Sequence, residues 1–109
     1  MEFWGAEIKS GQSCEVTLGR HCDLHLTKVA LGPVDEIDKE PVTVEVTYCR
    51  ETTVLATLDY RMQPVLSLPR SVFDTCVRIT HNRKNGSVYL LGFLAMYSGD
   101  VKAVQKVPV

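Results

Sequence analysis

The chain has almost no excess charge of either sign. Twelve basic residues stand against 13 acidic ones, a net of −1. That excludes a basic nucleic-acid binder acting through bulk electrostatics, and no direct nucleic-acid contact is expected. It equally withholds the strong acidity of a polyanionic tail. No run is apolar and long enough to span a bilayer, and Glu2 and Glu7 sit where a leader would be basic. The expectation is a soluble protein, not secreted and without membrane contact. Cys14, Cys22, Cys49 and Cys76 form no Cys-x-x-Cys pair. This argues against zinc and for four reduced, mostly buried thiols in an intracellular protein. A glycine-rich phosphate loop, a Gly-x-Ser-x-Gly elbow, an internal repeat and a low-complexity block are all missing, so no cofactor is expected. Aromatics make up 7% of the chain. Without a basic patch, Phe3, Trp4 and Tyr97 read as packing residues, not as a platform for bases.

What is present is alternation. At 109 residues, 45% hydrophobic and 23% charged, the chain has the makings of one globular domain with a real core. Residues 42–48 give the cleanest period of two: Val42, Val44, Val46 and Tyr48 inward, Thr43, Glu45 and Thr47 outward. Residues 1–9 place Trp4, Ala6 and Ile8 on one face and Phe3 with Gly5 on the other. Residues 14–18 form a short strand, and 22–31 place Cys22, Leu24 and Leu26 opposite Asp23, His25 and Thr27. Further strands are expected at 53–58 and 73–80. Residues 64–68, bracketed by Pro64 and Pro69, are at best a short edge strand. Arg50 and Glu51 mark a turn. Asn85-Gly86 predicts a two-residue hairpin into the last strand. Eight short strands with turn signals between them, and no helix, favour a β-sandwich or jelly roll over residues 1–97. Residues 98–109 read as a flexible exit or linker.

The last strand, 88–97, is apolar on both faces. Val88, Leu90, Leu94 and Met96 share one, with Gly92 between them; Tyr89, Leu91, Phe93 and Ala95 share the other. A lone antiparallel sandwich has one core to bury, so the second face needs a second layer or another subunit. The expected cover is a like molecule, with Tyr89, Leu91 and Phe93 in the oligomer interface.

Few residues promise chemistry. His21 and His25 lie about 13 Å apart on a strand, too far to share one metal, and no metal site is expected. Ser71, His81 and Asp74 can be written as a triad, but such sets arise by chance. The acidic loop Asp35, Glu36, Asp38 and Glu40 is the feature with a plausible partner, since clustered carboxylates attract Lys- and Arg-rich proteins. Several copies on one ring would add by avidity.

The opening MEFWGAEIKSG, the segment HLTKVALG at 25–32, and the run from Val72-Phe73-Asp74 through Ile79-Thr80-His81-Asn82 to Lys84-Asn85-Gly86-Ser87-Val88-Tyr89-Leu90-Leu91-Gly92-Phe93 resemble the nucleoplasmin-like N-terminal domain. The likeness is greatest to the version in plant type-2 histone deacetylases and in nuclear prolyl isomerases of the immunophilin class. The resemblance implies an all-β, eight-stranded jelly roll that assembles as a pentameric ring, or as two stacked rings making a decamer. It implies binding of histones or other basic proteins, chromatin assembly, and a place in the nucleus, in the nucleolus in particular. The alternatives it carries are a type-2 deacetylase or the oligomerising head of a nuclear prolyl isomerase. For the deacetylase branch, a histidine and an aspartate assigned to catalysis match His25 and, more loosely, Asp74. Read from its residues, the domain has no ligand set for an activated water, and it is not expected to be an enzyme itself.

Overall fold

The computed structural model describes residues 1–33, 40–96 and 105–108. Among these, nine strands follow in chain order: β1 (Glu2–Ile8), β2 (Ser13–Thr17), β3 (Cys22–Leu31), β4 (Val42–Tyr48), β5 (Glu51–Leu58), β6 (Val65–Phe73), β7 (Cys76–His81), β8 (Val88–Met96) and β9 (Gln105–Pro108). They form two antiparallel sheets, ordered β1-β8-β3-β6 and β5-β4-β7-β2-β9. Every consecutive connection except β4–β5 passes from one sheet to the other, the jelly-roll arrangement.

Alternation builds the core. Trp4, Ile8, Leu24, Leu26, Val88, Leu90 and Leu94 come from one sheet, and Val16, Val44, Val46, Leu58, Val77 and Ile79 from the other; all are buried in one cluster. Each such side chain contributes roughly 1.5–3 kcal/mol on burial. The exposed pair Arg78–Glu15, at 3.6 Å, contributes less than about 1 kcal/mol. The inner faces, not surface ion pairs, hold the sheets together.

In the sheet β1-β8-β3-β6, two irregularities decide which residues face out. Leu26 and Lys28 pair with the successive residues Gly92 and Leu91 of β8, so Thr27 is an extra residue. This bulge shifts the phase of β3: Cys22, Leu24 and Leu26 point inward before it, Val29 after it. The Thr27 Oγ1 hydroxyl donates to the Leu91 carbonyl at 3.1 Å. On β6, three residues lie between Ser67 and Ser71, where β3 has one, Thr27, between their partners Lys28 and Leu26. Pro69 sits in that excursion, on an edge strand, where no ladder N–H is needed.

Four expectations change. The Asn85-Gly86 hairpin is not formed, because β7 pairs with β4 and β2 while β8 pairs with β1 and β3. Gly86 has positive φ (135°) and Asn85 does not. Residues 82–87 are instead an inter-sheet crossover. Ser10 Oγ ties it down, its one proton shared between the carbonyls of Arg83 (2.8 Å) and Lys84 (2.7 Å). The tight hairpin is at Cys49-Arg50, both left-handed (φ 53° and 67°), between the paired Tyr48 and Glu51. The edge strand expected at 64–68 continues through Pro69 to Phe73, and the strand expected at 73–80 is broken where Thr75 turns left-handed (φ 59°). Within 98–109, Gln105–Pro108 pairs along β2 as a ninth strand.

Candidate functional site

The outer face of the sheet β1-β8-β3-β6 is built from the side chains that alternation leaves over. Register aligns them in rows across the strands. Phe3, Phe93, His25 and Val72 form one row; Gly5, Leu91, Lys28 and Ser67 form the next; Glu7, Tyr89, Ala30 and Val65 form a third. Phe3 is 72% exposed, Val72 43%, Leu91 39% and Tyr89 38%. Scattered apolar residues on a surface are ordinary, but here Phe3, Phe93 and Val72 share one row with Leu91 and Tyr89 beside it, a patch bordered by Lys28, Ser67 and Glu7.

Local contacts shape this face. The His25 imidazole stacks on Phe93, with ring centroids 4.6 Å apart and planes 10° from parallel. The Tyr89 ring lies over Gly32, where an added Cβ would come within 2.7 Å of its Cε2. Leu91 lies over Gly5. At the margin the Ser87 hydroxyl donates to Glu7 Oε2 at 2.6 Å. Tyr89, Leu91 and Phe93 thus face outward together, as their spacing predicts. Phe3, His25 and Val72 complete the row. Nothing in local periodicity brings them there, because they meet only through long-range strand register. His25 was expected on a polar strand face; its neighbours across the sheet are apolar.

The other candidates lie elsewhere. Asp74 follows β6, and its carboxylate accepts a hydrogen bond from the Tyr48 hydroxyl on the opposite sheet. Donation to that carboxylate holds the Tyr48 phenol above its ordinary pKa. Tyr48 also meets Phe73 edge to face at 5.3 Å. Asp74 accepts from Tyr48 and has no hydrogen bond to His25, so the two form no dyad. His81 uses both ring nitrogens on backbone. Nε2 donates to the Ile8 carbonyl (2.8 Å), and Nδ1 accepts from the Arg83 N–H (3.1 Å). Ser71, His81 and Asp74 do not assemble. Of the acidic loop, Glu40 is exposed; Asp35, Glu36 and Asp38 lie outside the described residues. The described residues hold no group of three or more His, Cys, Asp or Glu side chains able to share an ion.

The four cysteines are free thiols. Burial, with a smaller push from Glu15, raises the Cys14 pKa, and burial with Asp23 and Glu2 raises that of Cys22. Cys49 and Cys76 are exposed, which corrects the expectation of mostly buried thiols. Cys49 is itself left-handed, just after β4, and Cys76 opens β7 directly after the left-handed Thr75.

Comparison with known proteins follows the same outline. A family model described as the nucleoplasmin-like domain matches residues 3–95. Histone deacetylase HDT1 of Solanum chacoense is 39% identical over 95 residues, which is 87% of this chain and 35% of that protein. Histone deacetylase HDT3 of Arabidopsis thaliana is 33% identical over 93 residues, 85% of this chain and 31% of that one. The chain therefore spans about a third of the length of these relatives. Among solved structures, the Drosophila NLP-core, described for pentamer formation and histone binding, superposes with a TM-score of 0.76 at 20% identity, covering 87% of this chain and 99% of that one. The nucleoplasmin-like N-terminal domain of Drosophila FKBP39 superposes with a TM-score of 0.58 at 21% identity, covering 91% and 94%. At those identities the likeness is one of fold.

Proposed function

The chain belongs to the nucleoplasmin-like domain family, and from that premise we propose that it is the self-associating, histone-binding module of a nuclear chromatin protein. The observation that carries this reading is the apolar row Phe3, Phe93, His25 and Val72 on the outside of a sheet whose inside is already filled. Water leaves such a face at a gain of roughly 25 cal/mol per Å² of apolar surface covered. A second copy of the chain is the partner of choice, because the solved fold relative NLP-core is described for pentamer formation. Tyr89, Leu91 and Phe93 belong to the interface, in a pentameric ring or two such rings stacked.

Histone binding rests on the same premise and on charge. Asp35, Glu36, Asp38 and Glu40 put four carboxylates in one short segment. One copy is weak, since exposed ion pairs contribute little each. A ring repeats the segment and gains by avidity. The nucleus is the compartment that fits a histone partner and the relatives' names, with the nucleolus as its narrower form. His25 and Asp74 do not meet, so we assign no hydrolytic step to this domain. The deacetylation named for the longer relatives is left to the intact proteins.

The test is binding to purified core histones at about 150 mM salt. The expected result is binding by the native chain and a loss of at least about tenfold when Asp35, Glu36, Asp38 and Glu40 are changed together to Asn and Gln. The monomeric Phe93→Asp variant should lose as much. Equal binding by all three proteins would overturn the reading.

A further inference from the structure

We infer that His25 is a proton-sensitive self-association residue, so that acidification dissolves the assembly. This rests on the self-association reading above. Three observations converge on it. The imidazole stacks flat on Phe93 at 4.6 Å. Register sets it between Phe93 and Val72, with Phe3 beyond Phe93. The backbone behind it has no slack, since the His25 carbonyl oxygen lies 2.1 Å from where a Cβ on Gly92 would stand. The ring faces outward from a fixed strand and lies within the surface a second copy would cover.

Among the described residues, the charged groups around it leave a proton there without a dedicated partner. On β3, Asp23 lies opposite Ala95 and Lys28 opposite Leu91, one of each sign. On β8 the neighbours are Leu91, Phe93 and Ala95, with Tyr89 two pairs further on. On β6, Val72 is opposite, and Asp74 beyond it is held by Tyr48. On β1, Phe3 lies in the row, and Glu2 and Glu7 stand toward the two ends. A neutral imidazole on a phenyl ring is a flat, weakly polar surface that another protomer can cover. An imidazolium there would be stripped of water among apolar groups, which is costly. The open protomer therefore takes up the proton more readily than the assembled one. By linkage, falling pH favours dissociation across the range in which imidazoles titrate, about pH 5 to 8.

The experiment is a dilution series followed by light scattering at about pH 7.5 and about pH 5.5, at constant ionic strength. The native chain, His25→Phe and His25→Gln are compared. The native assembly should dissociate at a concentration about tenfold higher or more at the lower pH. Both variants should assemble at pH 7.5 and shift by less than about twofold. A native assembly equally tight at both values would overturn this inference alone. So would a pH shift that persists in both variants. A protein monomeric at both values would overturn the self-association reading and this inference with it.

Discussion

Gly92 has no room for a side chain. A Cβ there would stand 2.1 Å from the His25 carbonyl oxygen and 3.1 Å from the Leu26 Cα, both backbone atoms of the neighbouring strand. Backbone cannot swing aside as a flexible side-chain tip can, so the clash falls on the β3–β8 ladder itself. Gly5 is the control in the same sheet. A Cβ there meets the Leu90 carbonyl and Leu91 Cδ2 at 3.5 Å, ordinary contact. Gly92→Ala should lower stability by about 3 kcal/mol or more, read as a drop in the urea midpoint. Gly5→Ala should move it by no more than about 0.5 kcal/mol. Equal effects would show that strand β8 can move away from β3. The sequence marks Gly92 only as a gap in an apolar run. That the gap admits another strand's carbonyl is a tertiary fact.

At the scale of elements, the strands were legible because each hides one face. Residues 42–48 alternate without interruption, and β4 has those bounds. The turns were not legible in the same way. Asn85-Gly86 suits a tight hairpin, yet the segment spans two sheets, because β7 and β8 bury their apolar faces from opposite sides of the core. The turn marked in the sequence at Arg50-Glu51 falls one residue earlier, at Cys49-Arg50, where both residues are left-handed, held there by the paired strands on either side. Each L-residue in that conformation costs roughly 1 kcal/mol. Arg50→Gly should therefore raise the urea midpoint by an amount worth about 0.5–1 kcal/mol. A lowered midpoint would mean that the Arg50 side chain stabilises the turn by more than its backbone strain costs. The bulge at Thr27 escaped the periodicity for a different reason: one inserted residue turns Val29 inward, and only pairing with β8 reveals it. Strand β9 likewise gains its order from the edge of β2.

For the molecule as a whole, the deciding fact is that one sheet carries an apolar patch on its outer face as well as an apolar inner face. The inner one was visible in the chain as Val88, Leu90 and Leu94, the outer one as Tyr89, Leu91 and Phe93. Their partners across the sheet were not visible, since Phe3, His25 and Val72 are brought to Phe93 from three other strands. The same geometry separates His25 from Asp74, which the family resemblance had joined. Mass in solution tests the central claim most directly, by light scattering on the eluting protein at about pH 7.5. The account predicts a mass of five or ten protomers for the native chain and of one for Phe93→Asp. A native chain that elutes as a monomer, or a Phe93→Asp chain that keeps the native mass, would contradict it.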